Sequence, residues 1–332
     1  MEQVRLGAQG PMVSRLGIGC MGMSDFYGPA DRGESLATLA MAAERGITLI
    51  DTGDFYGTGH NEMLIGEALK TLDRDRLTLS VKFGALRAPD GQFSGFDGRP
   101  AAVKNFAAYS LKRLGVEVID IYRPARLDPD VPIEDTVGAI KELIEAGYVR
   151  HIGLSEMGAE TIHRAHAVHP IVDLQIEYSL ISRGIEKAIL PVCRELGIAV
   201  TAYGVLARGL ISGHWRPEAT TPGDYRAYTP RFQGENLDRN LALVEGLRAV
   251  AEARGLSVAQ AAIAWVLARG SDVVPLIGAR RRERLEEALG SLRIALSDAD
   301  LAAIEAAIPE SAAAGDRYPA QQMADLDSER GG

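Results

Sequence analysis

The chain has 332 residues, 46% of them hydrophobic and 24% charged, with a formal net charge of −9. That apolar content suits a packed globular core, and the acidic balance argues against a nucleic-acid groove or an anionic membrane as the main partner. Two cysteines, Cys20 and Cys193, are too few for a disulfide scaffold and lack metal-ligand spacing, so a reducing compartment is expected. No apolar run is long enough to span a bilayer, and Met1-Glu2-Gln3-Val4-Arg5 lacks a signal pattern, which together predict a soluble, cytoplasmic protein.

In chain order, Val4 to Ile18 reads as two extended pieces around Gly10-Pro11, a hairpin ahead of the main fold. Gly17-Ile18-Gly19-Cys20-Met21-Gly22 is a literal G-x-G-x-x-G, but it runs into the loop chemistry of Met23-Ser24-Asp25-Phe26-Tyr27-Gly28-Pro29 rather than into a helix. The next strand-end acid, Asp51, also lies too far along, so the Rossmann reading is rejected. Helical and strand patterns then alternate. Helices are expected at about 33–45, 61–71, 100–114, 133–146, 158–168 and 185–196, and strands at 47–51, 77–82, 118–122, 150–154, 172–176 and 198–203. A Gly-, Pro- and Arg-rich loop spans roughly 206–236, followed by helices at 239–254 and 258–269, a strand at 272–277, and helices at 280–290 and 298–307. With an opening strand near 16–19, eight apolar strands alternate with helices. That pattern predicts one α/β domain over 1–332, a (β/α)8 TIM barrel with an N-terminal β-hairpin, extra C-terminal helices and a polar tail at about 309–332.

Barrel chemistry sits at the carboxyl ends of the strands. There the run 47–51 ends on Asp51, Tyr56 follows a few residues later, and Lys82 ends the run 77–82. A tyrosine hydroxyl, with a pKa of about 10, is a poor acid at neutral pH. A nearby ammonium favours the phenolate and lowers that pKa, while a carboxylate keeps the lysine charged and in place. Any one of the three alone would pass for a satisfied polar group at a strand end; together they form a proton-donating site. Ser155, Gln175 and Tyr203 fall at the same end of later strands.

With these residues placed, the sequence resembles the aldo/keto reductase family over nearly its whole length, nearest the branch of pyridoxal and perakine reductases. The resemblance rests on Asp51-Thr52-Gly53-Asp54-Phe55-Tyr56-Gly57, the Lys82 strand, Gly153-Leu154-Ser155-Glu156, Asp173-Leu174-Gln175-Ile176-Glu177-Tyr178-Ser179, the stretch from Thr201 to Gly209, and Gly278-Ala279-Arg280 through Glu287. It implies NADPH-dependent reduction of an aldehyde or ketone, with Tyr56 as general acid, Lys82 lowering its pKa and Asp51 holding Lys82. Ser155 and Gln175 would hold the nicotinamide carboxamide and Tyr203 would stack on the ring. The backbone from Gly204 through Val205, Leu206 and Arg208 to Gly209 would follow the pyrophosphate. Gly22, Met23, Gly278 and Glu287 would complete the cofactor site, and Phe55, Ala125 and Arg126 would face the substrate. Arg280 and Arg284, four apart at the start of the helix expected at 280–290, suit a ribose 2′-phosphate and so favour NADPH over NADH. The partner implied is a small carbonyl compound, with no nucleic acid, no membrane and no metal; a homo-oligomer stays open.

Three positions depart from the family pattern. Asp120-Ile121-Tyr122-Arg123-Pro124-Ala125-Arg126 matches a segment like Asp-Leu-Tyr-x-x-His-Arg, with Ala125 at the catalytic histidine. Either Tyr56 and Lys82 suffice, or the protein is a nucleotide-binding sensor with little turnover; Arg123 and Arg126 are the cations that could stand in. Glu156 and Ala288 replace asparagines that usually contact the carboxamide and the adenine. His163, His166 and His169 drift around their helix without acids nearby, so a solvated face is the reading rather than a metal site. The stretch Trp215 to Phe232 is expected to lie over the cofactor and substrate, and Gly315-Asp316-Arg317-Tyr318-Pro319 to touch the pocket rim.

Overall fold

The computed structural model describes residues 1–219 and 223–330, so positions 220–222 of the expected long loop and 331–332 of the expected tail lie outside the described residues. Eight parallel strands close into a barrel: β3 (Gly17–Gly19), β4 (Leu49–Gly53), β5 (Thr78–Phe83), β8 (Ile119–Pro124), β9 (Val149–Ser155), β10 (Ile171–Glu177), β11 (Ala199–Tyr203) and β12 (Val273–Gly278), with β12 returning to β3. The order follows the sequence, so each helix crosses from one strand to its neighbour outside the barrel. Strands buried on both faces are why these segments read as unbroken apolar runs.

The helices form where the sequence supplies a stripe and a start. α4 (Ile133–Glu145) buries Ile133, Val137, Ile140 and Leu143, a spacing of three and four residues that puts all four on one face. α1 (Arg32–Glu44) opens on Asp31, whose side chain accepts from the Glu34 backbone N–H at 2.6 Å. α8 (Val258–Leu267) and α10 (Asp298–Ala307) open on reciprocal caps, Ser257 with Gln260 and Ser297 with Asp300. Among the described residues no helix is long and apolar enough to cross a membrane.

The expected hairpin pairs β1 (Gln3–Arg5) with β2 (Met12–Ser14). Its Val4, Leu6 and Val13 pack on Leu49, Val172, Ala199 and Val274, which lie at the starts of four barrel strands, so the hairpin closes the amino-terminal mouth and leaves the opposite end for chemistry. Some boundaries move. β4 runs two residues past its expected end, so Asp51 lies inside the strand, because Thr52 and Gly53 continue the ladder opposite Val81 and Lys82. The helix expected at 185–196 is regular only over α6 (Ile189–Glu195). A second hairpin, β6 (Ala85–Arg87) with β7 (Phe93–Phe96), has no counterpart in the sequence reading.

Inside the barrel, below its open end, lies a fully buried ion pair in which Arg123 Nη1 donates to Asp173 Oδ2 at 2.8 Å. Gly153 makes room for it, since a Cβ there would meet Asp173 Oδ1 at 2.6 Å and Arg123 Cζ at 2.9 Å. Gly153→Ala is therefore expected to destabilise the fold by about 1–3 kcal/mol, the usual cost of overpacking, read as a lower urea midpoint. An unchanged midpoint would show that the pair is free to shift.

Candidate active site

The carboxyl ends of the strands open into a cavity of about 820 Å³. All residues assigned above to catalysis, cofactor and substrate line it, from Gly22 and Tyr56 to Arg284 and Glu287. At its floor Lys82 and Asp51 form a buried ion pair, their side chains 6% and 3% exposed, so neither charge is answered by water. Lys82 Nζ also donates to Gln175 Oε1 at 2.8 Å. Asp51 Oδ2 accepts from Gln175 Nε2 at 2.8 Å and from Ser80 Oγ at 2.7 Å.

Tyr56 reaches this pair through a tight loop. Its N–H donates to the Gly53 carbonyl at 3.1 Å, and Gly57 and Gly59 adopt φ of +55° and +91°, which lets the chain turn at once into α2 (His60–Ala68). Asn61 secures the loop: its Oδ1 accepts from Thr52 Oγ1 at 2.7 Å, and its Nδ2 donates to the Cys20 carbonyl and to Ser24 Oγ, both at 2.8 Å. Lys82 Nζ ends 5.3 Å from the Tyr56 ring centroid.

The proton energetics differ in sign from the sequence expectation. Burial first, and the charge of Asp51 second, push the Tyr56 hydroxyl well above its ordinary pKa, with Arg126 opposing. Burial also lowers Lys82, against the opposing pull of Asp51. The ion pair offers Tyr56 little net positive charge, and so the phenol keeps its proton.

The two candidate replacements for the histidine part company. Arg123 is sealed beneath the site, paired with Asp173 and donating to Ser80 Oγ at 2.9 Å. Arg126 lines the cavity beside Ala125, bonded to the Ala125 carbonyl at 2.6 Å and, at 3.5 Å, to Ser155 Oγ. Tyr203 is clamped by its hydroxyl, which donates to Glu156 Oε1 at 2.6 Å and lies 2.8 Å from the Tyr318 hydroxyl. The Glu156 carboxylate also takes two bonds from Arg317, at 2.9 and 2.6 Å, and one from Ser328 Oγ at 2.7 Å. Burial alone would raise Glu156, but Arg317 holds it well below the usual carboxylate range.

Beyond Tyr203, Gly204, Ala207, Arg208 and Gly209 all have positive φ. Two N–H groups of this stretch are spent within it, Ala207 donating to the Gly204 carbonyl at 2.6 Å and Gly209 to the Leu206 carbonyl at 2.8 Å. At the far end α9 (Arg282–Gly290) begins later than expected, because Arg281 is extended at φ −140° and caps it. Arg280 therefore lies outside the helix and does not share a helical face with Arg284. Its Nη1 donates to the carbonyls of Tyr27, Gly28 and Pro29 at 2.9–3.3 Å, while Arg284 Nη1 meets Glu287 Oε2 at 3.3 Å. Both still line the cavity.

An aromatic cover over Tyr56 adds to the residues expected from the sequence. Phe26 stacks on Phe93 of β7 at 6.0 Å and meets Tyr56 and Tyr225 edge-on at 6.4 and 5.8 Å, with Arg87 over both Phe26 and Phe93. No periodic signal marks these rings; aromatics in a loop-rich stretch flanking Tyr56 were the only clue. The expected contributions from Trp215, Tyr225 and Tyr318 are present at the cavity wall.

Fold and site together define a barrel enzyme with its cavity at the strand carboxyl ends. Residues 15–309 match the Aldo/keto reductase family. The chain is 44% identical over 321 residues to "Probable aldo-keto reductase 1" of Glycine max, covering 96% of this chain and 92% of that protein. Among solved structures it is similar to the glycerol dehydrogenase AKR11B4 from Gluconobacter oxydans, with TM-score 0.83 and 30% identity over 92% and 94% of the two chains. It is also similar to the holo form of aldo-keto reductase AKR11C1 from Bacillus halodurans, with TM-score 0.77 and 27% identity over 93% and 96%. The chain belongs to the aldo/keto reductase family, which implies carbonyl reduction with a nicotinamide cofactor.

One further group sits behind the site. Asp54, in the turn leading to Tyr56, is buried. Its Oδ1 has no partner among the described residues, and Oδ2 takes a long bond of 3.4 Å from the Gly84 N–H. Burial, then the charge of Glu62, raises its pKa to about 8. Unfolded, it would titrate near 3.9, so between about pH 4 and that value the native state holds a proton the unfolded state has lost. The stability from protonated Asp54 is thus complete below the unfolded pKa and is lost as pH rises through the folded one. Asp54→Asn, which cannot ionise, is expected to lose less melting temperature than wild type between about pH 5 and about pH 8. Parallel losses would show that Asp54 is ionised in the native protein.

Proposed function

We propose that the protein reduces an aldehyde or ketone with NADPH, using Tyr56 as proton donor. The observation that carries this reading is the Lys82 ammonium, fixed by Asp51 and Gln175 beside the Tyr56 ring at the floor of the cavity. Bound NADPH supplies the hydride. The rest falls to the chain. Tyr56 gives its proton to the carbonyl oxygen as negative charge develops there, and Lys82 keeps a positive charge within reach of the phenolate left behind. Asp51 holds Lys82 and offsets the cost of burying its charge.

Ser155 and the clamped ring of Tyr203 hold the nicotinamide end. Gln175, whose amide is engaged by Asp51 and Lys82, positions that pair as well as bordering the cofactor. The left-handed run from Gly204 to Gly209 receives the pyrophosphate. The α9 amino terminus with Arg280 and Arg284 receives the 2′-phosphate, which favours NADPH over NADH, and Gly278 and Glu287 border the adenosine. The proposed setting is the cytoplasm. A second reading, a nucleotide sensor with little turnover, is favoured by one observation alone, an alanine, Ala125, in the wall of the cavity that Tyr56 also lines.

The decisive measurement is loss of NADPH absorbance with a panel of aldehydes and ketones. Wild type is expected to turn over and Tyr56→Phe to lose about 100- to 10,000-fold in kcat with NADPH binding retained. Tight NADPH binding without turnover on any carbonyl would sink the reductase reading in favour of the sensor. Separately, Arg284→Ala is expected to weaken NADPH about tenfold while leaving NADH unchanged, one lost bond to a charged group. Equal weakening of both would place the 2′-phosphate elsewhere.

A further inference from the structure

The cavity holds an arginine that the reaction steps just described leave unused, although the resemblance sets it toward the substrate. The other arginines along its wall are engaged: Arg208 meets Glu177 at 3.4 Å, Arg226 is bound to Asp224 at 2.5 Å, and Arg280 and Arg284 have the partners already described. Arg281 is exposed at the far end. Arg126 differs. It is half-buried, and among the described residues its guanidinium donates to the Ala125 carbonyl and weakly to Ser155 Oγ, with no carboxylate within 4 Å. A guanidinium has five N–H donors in a planar fork, so most of its hydrogen-bonding capacity is unused among the described residues, at a side chain that lines the cavity.

Its position is fixed. The Ala125 N–H donates to the Phe83 carbonyl at 2.8 Å, which ties this turn to the residue after Lys82. The Arg126 Cζ lies 6.0 Å from the Tyr318 ring. Arg126, Tyr56 and Lys82 line the same cavity, and the charge of Arg126 acts on both of the other two. Ala125, only 2% exposed, carries no group that could donate to a substrate.

Resting on the reductase reading, we propose that Arg126 is a catalytic residue that donates a hydrogen bond to the substrate's carbonyl oxygen. The hydride brings two electrons to the carbonyl carbon. The C=O π pair moves to oxygen, and the O–H bond of Tyr56 breaks to give that oxygen its proton. Arg126 keeps its protons throughout and stabilises first the developing oxyanion and then the phenolate, which regains a proton from water. A cation aimed where charge develops in a water-poor site supplies a large share of such stabilisation. A raised Tyr56 pKa makes the phenol a reluctant donor, and a second donor on the same oxygen compensates.

The test compares wild type, Arg126→Ala, Arg126→Met (which keeps an unbranched stem), Arg126→Lys and the double variant Ala125→His/Arg126→Ala. The substrates are benzaldehyde and 4-carboxybenzaldehyde with NADPH. NADPH affinity is read by fluorescence titration and folding by thermal melts. Arg126→Ala and Arg126→Met are expected to lose about 100- to 1,000-fold in kcat/KM on both aldehydes alike, the loss typical of one oxyanion donor. Arg126→Lys is expected to retain more, and the added imidazole to restore part of the loss. NADPH affinity should stay within about twofold of wild type, a difference well under 1 kcal/mol. A loss confined to the carboxylated aldehyde would overturn the proposal and make Arg126 a binder of anionic substituents. So would kcat/KM within about threefold of wild type on both, or a matching loss of NADPH affinity. Wild type inert toward every carbonyl would instead overturn the reductase reading itself, and this inference with it.

Discussion

Charge buried in the barrel has to be answered inside the barrel, and that constraint organises the site. Lys82 and Asp51 face each other with almost no solvent, and a few ångströms below them Arg123 faces Asp173 with none. Ser80 joins the two pairs, donating to Asp51 and accepting from Arg123 at 2.9 Å. Thr201 adds a bond of 2.6 Å to Asp173, and Gln175 closes a ring with Lys82 and Asp51. Breaking either pair leaves an uncompensated buried charge, far costlier than never having placed the pair there. The network that holds Lys82 beside Tyr56 is thus also part of what holds five strands in register, and the surroundings of Tyr56 cannot drift without loss of stability.

Much of this was legible in the sequence, for definable reasons. Strands buried on both faces write themselves as short apolar runs, so the barrel and its order followed from alternation. The polar residues that interrupt such runs at one end, Asp51, Lys82, Ser155, Gln175 and Tyr203, stood out because a strand end is where an interior polar group has a use. What did not show was anything decided by side-chain conformation. Arg123 and Arg126 are near neighbours in sequence, yet one is sealed under the site and the other lines it, and only the strand pairing separates them. Arg280 failed to join its expected helix because an extended Arg281 intervenes. The hairpin carrying Phe93 escaped notice because Phe93-Ser94-Gly95-Phe96 is too short to show a period and is mostly exposed.

The cavity's cover depends on the same rule in a different place. Glu156, just past the end of β9, and Glu177, at the end of β10, are both buried, and the cations that answer them come from distant segments: Arg208 and Arg231 from the long loop, Arg317 from the tail. Burial works to raise both carboxyls, yet these arginines hold both below their ordinary pKa. The carboxylate pair therefore acts as a fixed anchor that draws loop and tail onto the strand ends.

This anchor also gives the buried Glu156 carboxylate a structural use. A neutral amide could not bind Arg317 as a paired charge, and would leave that buried cation, as charge partners, only the longer contact to Glu177 at 3.5 Å and the part-exposed Glu329 at 2.7 Å. Once Glu156 is saturated by Arg317, Ser328 and Tyr203, its carboxylate has no capacity left for a ligand in the cavity. What it does instead is hold the Tyr203 hydroxyl from one side while Tyr318, the residue after Arg317, holds it from the other. The orientation of the Tyr203 ring thus depends on a tail more than a hundred residues away. A substitution in that tail that leaves every cavity-lining side chain in place can still disturb the ring face that Tyr203 presents to the cavity.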